Sequence, residues 1–122
     1  MGNNSKNLGV DGERLAREYL LARGHTILET NWRYKRYEVD IITKTGETIV
    51  FVEVKARKSN IFGNPEDFVD KNKQKFLIAA AHQYLIEKNI NFEARFDIIS
   101  VLQINNIQTV KHLEAAFYPP IK

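Results

Sequence analysis

The sequence predicts an α/β fold: one domain in which a mixed β-sheet is flanked by helices, with elements in the order α-β-β-β-α-β-β. Three observations predict it. Apolar residues recur at helical spacing in two separate segments, near residues 11–23 and 69–88. They alternate at strand spacing in five others. No repeat, low-complexity tract or long linker divides the chain. At 122 residues, one domain is the natural expectation, with room to bury roughly two-thirds of the unfolded surface. The 43% hydrophobic and 27% charged content is that of an ordinary globular protein.

The first nine residues, MGNNSKNLG, read as a loose polar arm, which leaves residues 10–122 as the folded domain. The arm has no apolar core of the kind a signal peptide needs, and no apolar run approaches the ~18 residues of a membrane span. The chain has no cysteine, so disulfides and thiolate metal sites are excluded. The expectation is a cytoplasmic protein with no membrane association.

Asp11 is placed to cap a first helix running to Arg23, with Gly24 as its stop. Leu15, Ala16, Tyr19 and Leu20 form its apolar stripe. Glu13 falls on or beside that stripe. The helix dipole explains an acid in the first turn, but not one at the core-facing edge. Strand-like stretches follow at Thr26–Tyr34, Glu38–Lys44 and Thr48–Arg57, the last two joined by the turn signal Lys44-Thr45-Gly46-Glu47. Residues 58–68 carry the Ser, Asn, Gly and Pro punctuation of a loop. A long helix from Val69 to Lys88 comes next, then strands at Phe92–Ile104 and Ile107–Leu113 across an Asn105-Asn106 turn.

The hairpin carries the chemistry. In Thr48–Arg57, Phe51, Glu53, Lys55 and Arg57 share one face, and Val50, Val52, Val54 and Ala56 the other. On the partner strand Glu38, Asp40 and Ile42 share a face, with Val39 and Ile41 opposite. A two-residue turn at Thr45-Gly46 sets Glu38 across from Glu53 with Asp40 on the diagonal. A four-residue loop sets Asp40 directly across from Glu53. Both keep the acids on one face, whereas a one-residue slip would separate them.

Carboxylates ~5 Å apart repel by about 3 kcal/mol at an effective dielectric of 20, a cost that a strand pair does not accept without compensation. A divalent cation, a raised pKa or the neighbouring Lys55 could supply it. Oxygen ligands suit Mg2+ or Mn2+, and His25, His82 and His112 have no metal-ligand spacing. A cation that polarises a phosphoryl group and supplies hydroxide, with a lysine to stabilise developing charge, makes a site for phosphodiester hydrolysis. The competing reading is a surface ion pair between Glu53 and Lys55, with Asp40 merely solvated.

The charge pattern points the same way. Lys plus Arg number 18 against 15 acids, a net +3. Arg33, Lys35 and Arg36 form one mid-chain cluster, Lys55, Arg57 and Lys58 a second, and Lys71, Lys73 and Lys75 a third. Such clusters are the footprint of a polyanion partner, although each alone also reads as solvated surface. Lys73 interrupts the apolar stripe of the long helix, either as a snorkelling side chain or as a nucleic-acid contact. Trp32, Tyr34 and Tyr37 interleave with the first cluster and could stack on bases, and core packing of Trp32 is the other reading. Asp97 reads as structural.

The arrangement Asp40 … Glu53-Val54-Lys55 resembles the signature of restriction-endonuclease-like nucleases. More closely, Gly9 … Gly12-Glu13 … Ala16 … Tyr19-Leu20, Asn31-Trp32-Arg33, Glu38 to Ile42, Phe51 to Arg57, Tyr84-Leu85 and Arg95 to Ile99 resemble the bacterial YraN family. These are predicted endonucleases similar to archaeal Holliday junction resolvases. The resemblance runs from Gly9 to Phe117. It implies that Glu13, Asp40, Glu53 and Lys55 match the family's acidic and basic site positions, that Lys73 matches a family lysine, and that the fold is restriction-endonuclease-like and often a homodimer. Tyr37 departs from it, standing where the family usually has Gly. Val39 stands where the wider superfamily has Pro.

The expected function is therefore a Mg2+- or Mn2+-dependent endonuclease acting on DNA, with branched or repair intermediates as candidate substrates and RNA left open. Catalysis falls to Asp40, Glu53, Lys55 and Glu13, the three acids also being the metal ligands. Nucleic-acid contact falls to Arg33, Lys35, Arg36, Arg57, Lys58 and Lys73, and Glu38 is a second-rank acid. The alternative is a nucleic-acid-binding module of the same fold without significant turnover.

Overall fold

A computed structural model describes residues 8–58 and 69–119. The elements are α1 (Leu8–Ala22), β1 (Thr26–Tyr34), β2 (Tyr37–Thr45), β3 (Thr48–Arg57), α2 (Lys71–Glu87), β4 (Glu93–Ile104) and β5 (Ile107–Phe117). The strands form one five-stranded sheet in the order β1-β2-β3-β4-β5. β3 and β4 are parallel and every other pair is antiparallel, so the sheet is mixed as expected. A parallel pair cannot be closed by a tight turn, and α2 lies in the connection that joins these two.

The helices cover opposite faces. Ala16 and Leu20 of α1 pack on Ile41, Val50, Val52, Ile99 and Val101. Leu77, Ala80, Ala81 and Tyr84 of α2 pack with Ile42, Ile49, Phe51, Phe96 and Ile98. Adjacent strand residues, such as Phe51 and Val52, therefore belong to different cores, because successive side chains leave a strand on opposite sides. Each large side chain so buried contributes roughly 1.5–3 kcal/mol. No helix among the described residues is long and apolar enough to cross a membrane.

Several boundaries differ from expectation. α1 starts at Leu8, so Asp11 lies inside its first turn and is not the cap, and the loose arm cannot reach residue 9. The rest of the arm, residues 1–7, and residues 59–68 of the expected loop lie outside the described residues. Gly24, at φ +88°, follows α1 as its stop, with His25 N–H donating back to Leu20 O at 3.0 Å. α2 begins two residues later than Val69, which is itself buried in the core. Its cap is Asp70, whose Oδ1 accepts from the Lys73 backbone N–H at 2.9 Å. β5 continues past Leu113 to Phe117, whose ring stacks on Phe96 at 5.1 Å. Left-handed Ala115 (φ +51°) and a register shift between Phe96 and Ile98 disturb that last stretch, which hid its strand pattern.

Candidate functional site

The β2–β3 turn fixes the register. Thr45 pairs with Thr48 across the two residues Gly46 and Glu47, and Lys44 pairs with Ile49. The turn is thus two residues long but lies one residue later than Thr45-Gly46, with Gly46 at φ +59°. The result is the register that the longer loop would have given. The paired ladder ends at Ile41 opposite Val52, and the step beyond it holds Asp40 and Glu53.

At that step the strands stop behaving regularly. Ile41 packs under α1, but Val39, two residues away, packs in the core under α2. Residues two apart on a regular strand share a face, so the expected grouping of Val39 with Ile41 fails here. The reversal falls at Asp40. Its side chain occupies the seam between β2 and β3, where Oδ2 accepts from the Val54 backbone N–H at 2.7 Å. A carboxylate thereby takes a donor of the strand that would otherwise pair with backbone.

Glu53 sits on the side of the sheet that carries Phe51 and α2. Only 5% of its surface is exposed. Lys55 Nζ and Lys73 Nζ each stand 3.6 Å from its Oε2, one from its own strand and one from α2. Both are ion pairs too long to be good hydrogen bonds. Oε1 is buried and has no hydrogen-bond partner among the described residues. A buried carboxylate oxygen left in that state costs roughly 1–3 kcal/mol or more. Lys73 reaches Glu53 because the Asp70 cap holds the first turn of α2.

Glu13 comes to the site from the other side of the sheet. α1 approaches β3 closely at Gly12, where an added Cβ would lie 2.8 Å from Ala56 Cβ. A glycine inside a helix costs about 1 kcal/mol relative to alanine, and here the missing side chain lets the helix close onto the strand. The next residue, half-buried Glu13, is near enough to Asp40 to perturb it electrostatically. Burial raises the Asp40 pKa from its ordinary 3.8 to about 7, the charges of Glu53 and Glu13 push the same way, and the Val54 bond and Lys73 oppose them.

The structure therefore brings Asp40, Glu53, Glu13, Lys55 and Lys73 together. It does not bring Glu38, whose Oε2 accepts from Arg33 at 2.7 Å in an exposed ion pair. Arg33 is thereby engaged as well. Lys35, at φ +59°, lies over the Tyr34 ring, and Arg36 is exposed beside it. Arg57 is half-buried and Lys58 exposed at the end of β3. Trp32 packs on Tyr84 edge-to-face at 5.1 Å, which is the core reading of that residue. Tyr37 stacks on Phe76 of α2 at 3.7 Å, so its ring pins the β1–β2 turn to the helix.

The donor set suits a hard cation such as Mg2+ or Mn2+, because Asp40, Glu53 and Glu13 offer carboxylate oxygens and Glu53 Oε1 has no partner among the described residues. Among the described residues, no three His, Asp or Glu side chains stand as a ready-made cage. Asp40 and Glu53, with Glu13 in reach from α1, are the residues that would hold the ion.

The sequence reading missed two contributors. Asn31 donates from Nδ2 to Glu13 Oε1 at 3.2 Å. His112, given no role, lies with Nε2 2.7 Å from Asp97 Oδ2 in a second polar cluster. Neither has a spacing signal, because each meets its partner across separate elements.

Fold and site together define a mixed-sheet α/β protein with a carboxylate and lysine cluster at a split strand seam. The chain is matched by the model of the uncharacterised protein family UPF0102 over residues 12–101, and it belongs to that family, the YraN family of the motif resemblance. It is 43% identical over 112 residues to a UPF0102 protein of Flavobacterium psychrophilum, covering 92% of this chain and 94% of the relative. A Parabacteroides distasonis relative is 38% identical over 116 residues, covering 95% and 96%. One from Christiangramia forsetii is 42% identical over 111 residues, covering 91% and 93%. These names carry a family and no activity.

Proposed function

We propose that this protein is a Mg2+- or Mn2+-dependent nuclease that hydrolyses phosphodiester bonds in DNA, with branched or repair intermediates as candidate substrates. The observation that carries the reading is Glu53: almost wholly buried, with one oxygen lacking a partner among the described residues and the other facing two lysines, beside an Asp40 whose proton is held to about pH 7. A folded protein does not keep such a group for stability. A bound divalent cation would polarise the phosphoryl group and supply hydroxide. Asp40 and Glu53 would hold the ion at the seam, Asp40 as the deprotonated carboxylate. Lys55 and Lys73 can then turn from Glu53 toward phosphate oxygens and stabilise the charge that develops in the transition state.

The test is a panel of labelled linear, branched and single-stranded DNAs, with an RNA, incubated with and without Mn2+. At least one should be cut only with metal, and Glu53→Gln should reduce that rate at least ~100-fold while retaining binding. The lysines already neutralise part of the Glu53 charge, and this favours the second reading, a nucleic-acid-binding module without turnover. Band shifts without cleavage across the panel would decide for it.

A further inference from the structure

We propose that Asn31 is a positioning residue that aims Glu13 at the cation site; the inference rests on the nuclease reading above. Asn31 lies in β1 between Thr30, paired with Ile41, and Trp32, paired with Val39. It is therefore the β1 residue opposite Asp40, at the same level where β2 reverses its faces. Its φ is +50°, in the left-handed region that few side chains other than Gly, Asn and Asp adopt without cost. The amide that this conformation presents donates from Nδ2 to Glu13 Oε1 at 3.2 Å, across from strand to helix.

The bond is exposed, and a hydrogen bond of that kind contributes little to folding. Its effect is directional. Glu13 and Asp40 act on each other as like charges, and unrestrained, the Glu13 carboxylate would swing away into solvent. An amide donor holds it without adding a charge and without titrating. Gly12 supplies the other half of the placement by letting α1 close onto β3 next to Glu13. Helix and edge strand together set the third carboxylate beside the seam from the face opposite Glu53. Partners of this kind, bonded to ligands and not to the ion, commonly change metal affinity 10–100-fold when removed.

The experiment uses the full chain with Mn2+ as the probe. Asn31→Gly keeps the backbone conformation and removes the donor, and thermal melting of each variant establishes that it folds. Calorimetric titration should give Mn2+ binding about ten-fold weaker in Asn31→Gly than in wild type. Cleavage should need correspondingly more Mn2+ and return toward the wild-type rate at saturation. In a Glu13→Gln background, Asn31→Gly should add nothing, because there is no carboxylate left to aim. Wild-type Mn2+ affinity in folded Asn31→Gly, or effects of the two substitutions that simply add, would overturn the assignment and leave the nuclease reading standing. If the wild type itself neither binds Mn2+ nor cuts, that reading falls and this one falls with it.

Discussion

Two sets of buried acids sit one strand apart on opposite faces of the sheet and are treated in opposite ways. Asp97, facing the α1 side, is 1% exposed and fully engaged. Its Oδ1 accepts from Arg95 Nε at 2.9 Å and Ala115 N–H at 3.0 Å. Its Oδ2 accepts from Arg95 at 2.9 Å and stands 2.7 Å from His112 Nε2, whose ring meets Tyr19 edge-on. Burial alone would raise its pKa, but the bonds from His112, Arg95 and Ala115 win and hold it below the usual carboxylate range. Glu53, facing α2, has an oxygen with no hydrogen-bond partner among the described residues, and Asp40 beside it accepts a short bond from the Val54 N–H at 2.7 Å and has a raised pKa. Both environments bury an acid. The first satisfies it, as a protein does for stability, and the second leaves capacity for a partner.

The comparison predicts its largest effect at Asp97. Asp97→Ala strands Arg95 and the Ala115 N–H and should destabilise the fold by about 3–5 kcal/mol in denaturant titration. Asp40→Asn at pH 8 should do the reverse and stabilise the metal-free protein. If both substitutions destabilise alike, the contrast is wrong.

A smaller effect follows from the signs of the two shifts. Asp97 is lowered, so its contribution is present above its ordinary 3.8 and lost as pH falls below it. Asp40 is raised from 3.8 to about 7, so its contribution is full below about 3.8 and lost as pH rises through 7. Thermal melts of the metal-free protein should therefore lose stability as pH rises from about 4 to about 7, by roughly 1–3 kcal/mol from this group, and Mn2+ should restore it. In Asp40→Asn the slope between pH 5 and 8 should flatten. An unchanged slope would show that Asp40 is not the group titrating there.

The smallest effect concerns the cap. Asp70→Ala should cost ~1 kcal/mol by removing the bond to the Lys73 N–H. It should also weaken nucleic-acid binding, because Lys73 depends on that turn to reach the site. Loss of stability with unchanged binding would make Lys73 a snorkelling residue after all.

What the sequence by itself determined is whatever depends on local spacing. Alternating valines fixed which residues of β3 face α1, and the Glu53-Val54-Lys55 spacing placed both charged groups on the other face. The helical stripes through Ala16 and Leu20, and through Leu77, Ala80 and Tyr84, identified the two covering helices and with them the element order. Tertiary structure decided whatever depends on two segments meeting. The register came from a turn shifted by one residue, the face reversal at Asp40 from its insertion into the strand seam, and the compensated burial of Asp97 from donors on β4 and β5. Glu38 was diverted to Arg33, and Glu13 was admitted by the contact at Gly12 and held by Asn31. Periodicity records the environment along one element, but a hydrogen bond between elements depends on distances that no spacing in the chain encodes.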